Sequence, residues 1–201
     1  TSALFPLADM CKTDVRQLAT QIKLPNATKK DSTGICFIGE RKFKTFLQEF
    51  ILGKPGVIVT DNGDNVGQHD GLMYYTLGQR KGLNIGGIKN KAEAPWYVIA
   101  KDIPNNQLIV GQGHNHPALY HRQLICNQLH WVQSAPSTPY RCHAKIRYGQ
   151  QDQACTIEQV DSDQYEVRFE QPQWAITPGQ AIVFYNEAEC LGGGTIITMS
   201  N

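Results

Sequence analysis

Two segments near the start of the chain place apolar residues at helical spacing. The first covers residues 14–23, with Thr13 as the predicted N-cap and Pro25 just past the end. The second ends before Gly53 and Pro55. The chain therefore starts with two predicted amphipathic helices. Their apolar positions are Val15, Leu18, Ala19 and Ile22 in the first helix, and Phe43, Phe46, Leu47, Phe50 and Ile51 in the second.

After Pro55 the apolar positions alternate with polar ones, which is typical of strands. Residues 56–69 predict a hairpin that turns at 61–64, and residues 95–113 predict another that turns at 104–106. Short alternating segments then recur to the end of the chain and predict a six-stranded antiparallel β-barrel. These segments are residues 123–131, 140–148, 154–160, 164–170, 181–186 and 190–197.

These elements predict a mainly β fold with a few helices, of the α+β class. We divide the chain into a helical segment at 1–39, a small mixed domain at 40–120, and the β-barrel at 121–201. The first segment is too short to bury a core of its own. The sequence does not begin with Met, and we expect it to be part of a longer protein.

Composition narrows the class of protein. No apolar run is long enough to span a membrane, and the first residues do not resemble a signal peptide. We therefore expect a cytoplasmic protein whose cysteines are free thiols. Their wide spacing excludes the C-x-x-C pattern of zinc ribbons and thioredoxin-like sites. We expect Cys142, Cys155 and Cys190 to pack as small apolar residues in strands.

Charge is distributed unevenly along the chain. Residues 1–120 carry 14 Lys and Arg against 10 Asp and Glu, whereas residues 121–201 carry 5 against 8. The overall charge is only +1, so any surface that binds nucleic acid must be local.

Cys36 is placed unusually for a cysteine. It follows the turn-forming residues 31–34, and lysines precede it at Lys29 and Lys30 while Arg41 and Lys42 follow. Neighbouring cations and a helix N-terminus favour the thiolate, which is the reactive form. The alternative is a half-buried thiol that packs with its apolar neighbours, and spacing alone does not decide between the two.

Two further stretches offer binding chemistry. Glycines flank Arg80 and Lys81 in residues 69–87, so this loop either binds a phosphate or only links two strands. His114, His116 and His121 are close in sequence and could share a metal, but no acidic or Cys ligand accompanies them. We favour a turn at Pro117 and expect no metal site.

Segment 140–148 combines an apolar and a cationic face. Alternation places Cys142, Ala144 and Ile146 inside, and Tyr148 with them. The opposite face carries a row of four potential cations, which fits either a phosphate-backbone contact surface or a solvated barrel face. The row consists of Arg141, His143, Lys145 and Arg147.

Several strings resemble the tRNA-specific 2-thiouridylases from end to end: KKDSTGICFIGERKF, GLMYYTLGQRKGL, PWYV, TPGQ and CLGGG. The resemblance implies an enzyme that thiolates C2 of the wobble uridine in tRNAs for Lys, Glu and Gln codons. It implies Cys36 as the persulfide residue and a persulfide sulfur-carrier protein as partner. It also implies ATP with Mg, bound by an N-terminal domain whose S-G-G-x-D-S loop does not occur in this sequence.

The resemblance also indicates residues that touch tRNA. Arg147, Tyr148 and Gln180 match such positions, although contact by Tyr148 requires the strand to end or twist there. We add Arg80, Lys81 and Lys145 from the cationic patterns described above. The main alternative is a non-catalytic RNA-binding module, since barrels of this size often only position RNA. A thiol-based redox protein is a third, against which the absence of a nearby resolving cysteine counts.

Overall fold

The structure is a computed structural model that describes residues 4–30, 43–86 and 94–201. It divides into two units, residues 1–46 and residues 47–201, and each is described by itself. Cys36 and its cationic neighbours Arg41 and Lys42 lie outside the described residues.

Both predicted helices are present with shifted ends. Helix α1 spans Lys12–Gln21, with Cys11 at its N-cap and no side-chain cap. The prediction of Thr13 as the cap was wrong, because the helix begins before it. Helix α2 spans Phe43–Gln48 and stops short of the predicted end. Phe50 and Leu52, which follow the helix, are 70% and 92% exposed. Their side chains are not packed in a core, so packing does not stabilise a further helical turn there.

The two predicted hairpins form one sheet in unit 47–201. Its strands are β1 (Gly56–Thr60), β2 (Asn65–His69), β3 (Trp96–Asp102) and β4 (Gln107–Gln112). The order is β2-β1-β4-β3, so the hairpins join through a parallel pairing of β1 with β4. Ile58, Val98, Leu108 and Val110 are fully buried and form the centre of its core.

The rest of the chain closes into a six-stranded antiparallel barrel, which confirms the predicted fold class. In chain order its strands are β5 (Tyr120–Trp131), β6 (Tyr140–Lys145), β7 (Gln153–Gln159), β8 (Gln164–Trp174), β9 (Ala181–Asn186) and β10 (Glu189–Ser200). Around the barrel the order is β10-β5-β8-β7-β6-β9. Inward residues such as Leu124, Ile157 and Phe184 fill the interior.

Two details of the barrel differ from the predicted pattern. Strand β6 ends at Lys145, so Arg147 and Tyr148 lie in the turn that follows. Cys190 is exposed rather than packed inside, because the pairing of β10 with β9 shifts register between Cys190 and Gly192. Such an irregularity interrupts the alternation on which the prediction rested. Among the described residues, no helix is long and apolar enough to cross a membrane.

Candidate nucleic-acid interface

A groove of about 840 Å³ opens on the barrel where β6 ends and β9 begins. The two strands are antiparallel neighbours, with Lys145 opposite Val183. This pairing brings the end of β6 beside residues that are distant in the sequence. The groove is lined by Lys145, Ile146, Arg147, Tyr148, Gly149, Gln180, Ala181, Val183 and Tyr185. It therefore gathers four of the six residues predicted to bind tRNA.

Lys145 presents a cation in this groove. Its ammonium lies 5.0 Å from the centroid of the Tyr185 ring, which is a cation–π arrangement. The ring limits the positions that the flexible side chain can take, and the ammonium still has protons to donate to an anionic oxygen. Lys145 is therefore suited to contact a phosphate.

Tyr148 presents an aromatic ring to solvent. It lies in the turn after β6 and is fully exposed. The early end of β6 meets the condition that tRNA contact by Tyr148 required, because the residue no longer follows the inward alternation of Ile146. An exposed ring beside a cation can stack on a nucleobase.

Gln180 reaches the groove from the turn that precedes β9. Its N–H donates to Thr177 O at 3.2 Å, and its carbonyl accepts from Ile196 N at 2.8 Å. Gly179 has a φ of +84°, a backbone conformation that residues other than glycine rarely adopt. The TPGQ stretch thus forms a tight turn fixed to β10, and this turn places Gln180 on the groove wall.

Arg147 does not extend the predicted cationic row. Its Nη2 donates to Leu77 O at 3.0 Å, to Ala175 O at 3.1 Å and to Thr177 Oγ1 at 3.4 Å. The side chain is half-buried, and this burial lowers the pKa of its guanidinium from the ordinary value. The four-residue row was therefore wrong: β6 ends two residues earlier, and Arg147 turns toward protein acceptors.

Arg80 and Lys81 are exposed on an ordered loop. Gln79 organises it, because its Oε1 accepts from Thr76 N and its Nε2 donates to Lys81 O, both at 3.0 Å. Val98 of β3 fixes the loop through both of its backbone groups, which bond to Gly78 and Gln79. The loop therefore presents two cations from a defined backbone.

The five cysteines that the structure describes are free thiols, and three of them are inside the barrel. Cys126 is fully buried, and this burial raises the pKa of its thiol to about 12. Cys142 and Cys155 face each other across β6 and β7 with their Sγ atoms 3.7 Å apart. That hydrogen bond and burial raise the pKa of Cys155. Cys126 and Cys155 are therefore poor nucleophiles, whereas the hydrogen bond with Cys155 lowers the pKa of Cys142, which is shielded by its burial alone.

The three histidines near Pro117 do not converge. His114 stacks on Trp174, with ring centroids 4.8 Å apart. His116 contacts Asp61 at 3.2 Å and accepts from Ala118 N. Nowhere in the part of the chain that the structure describes do three His, Cys, Asp or Glu side chains form a possible metal site.

Tyr185 and Trp174 are contributions that the sequence interpretation missed. Both belong to strands, and neither lies in one of the five strings quoted for the resemblance. For Tyr185 a signal was available: Ile182 and Phe184 are buried, so alternation turns Val183 and Tyr185 to the outer face of β9. Which strand neighbours β9 was not visible in the sequence, so the meeting with Lys145 could not be predicted.

Three family profiles match consecutive parts of the chain. Residues 1–40 match a tRNA methyl transferase HUP domain, and residues 44–112 match a tRNA methyl transferase PRC-barrel domain. Residues 121–196 match an aminomethyltransferase beta-barrel domain. The described barrel strands β5 to β10 cover this last match.

Curated relatives extend the match over nearly the whole chain. The tRNA-specific 2-thiouridylase MnmA of Serratia proteamaculans is 55% identical over 195 residues, or 96% of this chain. The enzymes of that name from Legionella pneumophila and Nitrosococcus oceani are 55% and 57% identical over 98% and 97% of the chain. The chain belongs to the tRNA-specific 2-thiouridylase family. The chain spans about half the length of these relatives, 53 to 55%.

Proposed function

We propose that the chain is the tRNA-binding and sulfur-carrying part of a tRNA-uridine 2-sulfurtransferase. The observation that carries this proposal is the identity of about 55% with 2-thiouridylases over 96 to 98% of the chain. The groove at Lys145 supports the RNA-binding half of the proposal, because it combines a cation, an exposed aromatic ring and an amide. The substrates are tRNAs for Lys, Glu and Gln codons, as the resemblance implies.

Cys36 is the residue that we assign to sulfur transfer. A carrier protein would leave a persulfide on its thiol, and the terminal sulfur would attack C2 of the wobble uridine. The C2 oxygen, activated by adenylylation with ATP, would depart with AMP. A second thiol must then attack Cys36 Sγ to break the S–S bond, so that the sulfur stays on C2 and the two cysteines form a disulfide.

The described residues do not fit an ATP site. The glycine-flanked loop is the one candidate that the sequence suggested, but two neighbouring amides at its tip already donate within the protein. Gly78 N bonds to Val98 O, and Gln79 N bonds to Thr76 O. A phosphate cradle needs free amides that converge on the anion. We therefore assign ATP and Mg to a nucleotide-binding domain outside this chain.

The test separates binding from chemistry. We expect the 201-residue chain to bind tRNA but to form no 2-thiouridine with ATP, a persulfide donor and tRNA. In a full-length protein, Cys36→Ser should abolish thiolation and leave the tRNA Kd within about twofold. Cys190→Ser, at an exposed thiol of the barrel, is the matched control and should retain thiolation. Thiolation by Cys36→Ser would leave the chain as an RNA-binding module only.

A further inference from the structure

Arg147 connects two parts of the chain that are far apart in sequence. One acceptor, Leu77 O, belongs to the segment that leads into Gln79, Arg80 and Lys81. The other two, Ala175 O and Thr177 Oγ1, belong to the connection between β8 and β9 of the barrel. All three bonds use Nη2, so a single guanidinium nitrogen joins the loop to the barrel.

The surroundings of Arg147 bring the same two parts into close contact. Its guanidinium carbon lies 5.7 Å from the centroid of the Trp174 ring. A Cβ atom on Gly78 would lie 2.5 Å from a carbon of that ring and 2.8 Å from the Ala175 Cβ. Gly78 also has a φ of +77°. Glycine is therefore required where the loop meets the barrel.

The loop is also hydrogen-bonded to the sheet, directly before its two cations. Gly78 N donates to Val98 O at 2.8 Å, and Val98 N donates to Gln79 O at 3.0 Å, so the loop is also fixed on β3. Arg80 and Lys81 follow directly and are exposed. A loop held at Leu77 by the barrel and at Gly78 by the sheet has little freedom to reorient its tip.

We propose that Arg147 is a positioning residue that fixes the 77–81 loop on the barrel and thereby joins Arg80 and Lys81 with the Lys145 groove into one RNA-binding surface. The functional part of this inference rests on the proposed binding of tRNA. The resemblance alone would make Arg147 a direct RNA ligand, whereas its hydrogen bonds run to the protein. The two roles predict different behaviour, because a ligand acts independently of the loop and a positioning residue acts through it.

The first experiment needs no RNA. Amide hydrogen exchange is measured on the chain and on its Arg147→Met variant, which keeps an unbranched apolar side chain but loses the guanidinium. We expect peptides covering residues 76–83 to exchange about tenfold faster in the variant, while peptides from β7 and β10 keep their protection. Arg122→Met replaces an exposed arginine on β5 and is the matched control. It should change the exchange neither of residues 76–83 nor of β7 and β10.

The second experiment is a double-mutant cycle on tRNA binding. If Arg147 acts through the loop, Arg80→Ala with Lys81→Ala weakens binding in the wild type, but costs less than about twofold in the Arg147→Met background. A direct phosphate ligand would give additive losses instead. Gly78→Ala attacks the contact from the loop side and leaves Arg147 in place. It should reproduce both the faster exchange and the lost contribution of Arg80 and Lys81.

Each outcome decides the inference. Unchanged exchange at 76–83 in Arg147→Met, or additive losses in the cycle, would overturn it. If Arg147→Met also lowers the exchange protection of the barrel strands, the Gly78→Ala variant decides instead. The two criteria are then its exchange at residues 76–83 and the contribution of Arg80 and Lys81 to its tRNA binding. A chain that binds no tRNA would refute the proposed function, and the exchange experiment would still decide whether Arg147 fixes the loop.

Discussion

The ammonium of Lys145 lies 5.0 Å from the centroid of the Tyr185 ring, across neighbouring strands of the barrel. Tyr185 is paired with His143 in the register, so Lys145 crosses to it diagonally. Diagonal neighbours on one sheet face are within reach of long and aromatic side chains. The contact keeps a positive charge at the groove in a domain whose formal charge is negative. A local cation of this kind is what an RNA-binding surface requires there.

Lys145→Ala should therefore weaken tRNA binding and reduce its dependence on salt. Each phosphate contact that is lost should flatten the slope of log K against log salt by about 0.7 to 1. The measurement is the tRNA Kd at several salt concentrations. Arg122→Ala is a charge-matched control, because β5 lies opposite β6 in the barrel order. Equal slopes for Lys145→Ala and the wild type would show that Lys145 is only a solvated side chain.

Thiol reactivity should follow exposure and pKa. With limiting iodoacetamide at pH 8, we expect Cys36 to react first and the exposed Cys11 and Cys190 next. Cys126, Cys142 and Cys155 should stay unmodified in the native chain. For Cys126, a pKa of about 12 leaves only about one thiol in ten thousand ionised at pH 8. Raising the pH toward 12 should increase its labelling, because the thiolate is the form that attacks.

Peptide mapping of the alkylated chain measures this order. Labelling in urea is the control, since all six thiols should then react at similar rates. Faster labelling of Cys190 than of Cys36 would remove the argument that neighbouring cations activate Cys36. Labelling of native Cys126 as fast as Cys190 would show that the barrel opens readily.

The sequence predicts the strands of the fold, but it does not predict how distant strands pair. Alternation predicted both hairpins and all six barrel strands, because each strand has one buried face. It could not predict that β1 pairs in parallel with β4, since that pairing joins segments far apart in sequence. It also could not show that β6 stops at Lys145, because Arg147 continues the alternating pattern while its guanidinium bonds to Leu77 O and Ala175 O.

The barrel core should be sensitive to loss of volume at Phe184. This side chain is fully buried and stacks on Trp131, with ring centroids 5.8 Å apart. Phe184→Ala removes the ring and leaves a cavity, so we expect the free energy of unfolding to fall by about 3 to 5 kcal/mol. Urea denaturation measures it. Val160→Ala, at a position that is 49% exposed, should cost less than about 0.5 kcal/mol.

A loss at Phe184 of no more than that at Val160 would contradict a close-packed barrel. The midpoint should shift while the dependence of the free energy on urea stays constant, because the surface exposed on unfolding hardly changes. A changed slope would instead indicate that the variant no longer unfolds in a single step.

Tyr148 should contribute to tRNA binding through its ring rather than through charge. It is fully exposed in the groove that also contains Lys145, so its contribution to the stability of the fold should be small. Tyr148→Ala should weaken tRNA binding by about 1 to 3 kcal/mol if the ring stacks on a base, whereas Tyr148→Phe should bind almost as the wild type does. The salt slope should be unchanged in both, because stacking releases no counterions.

Melting temperatures of both variants control for stability and should match the wild type. Equal weakening by Ala and Phe would assign the contact to the hydroxyl group, and no weakening by Ala would remove Tyr148 from the interface and leave tRNA binding to Lys145, Gln180 and the loop cations.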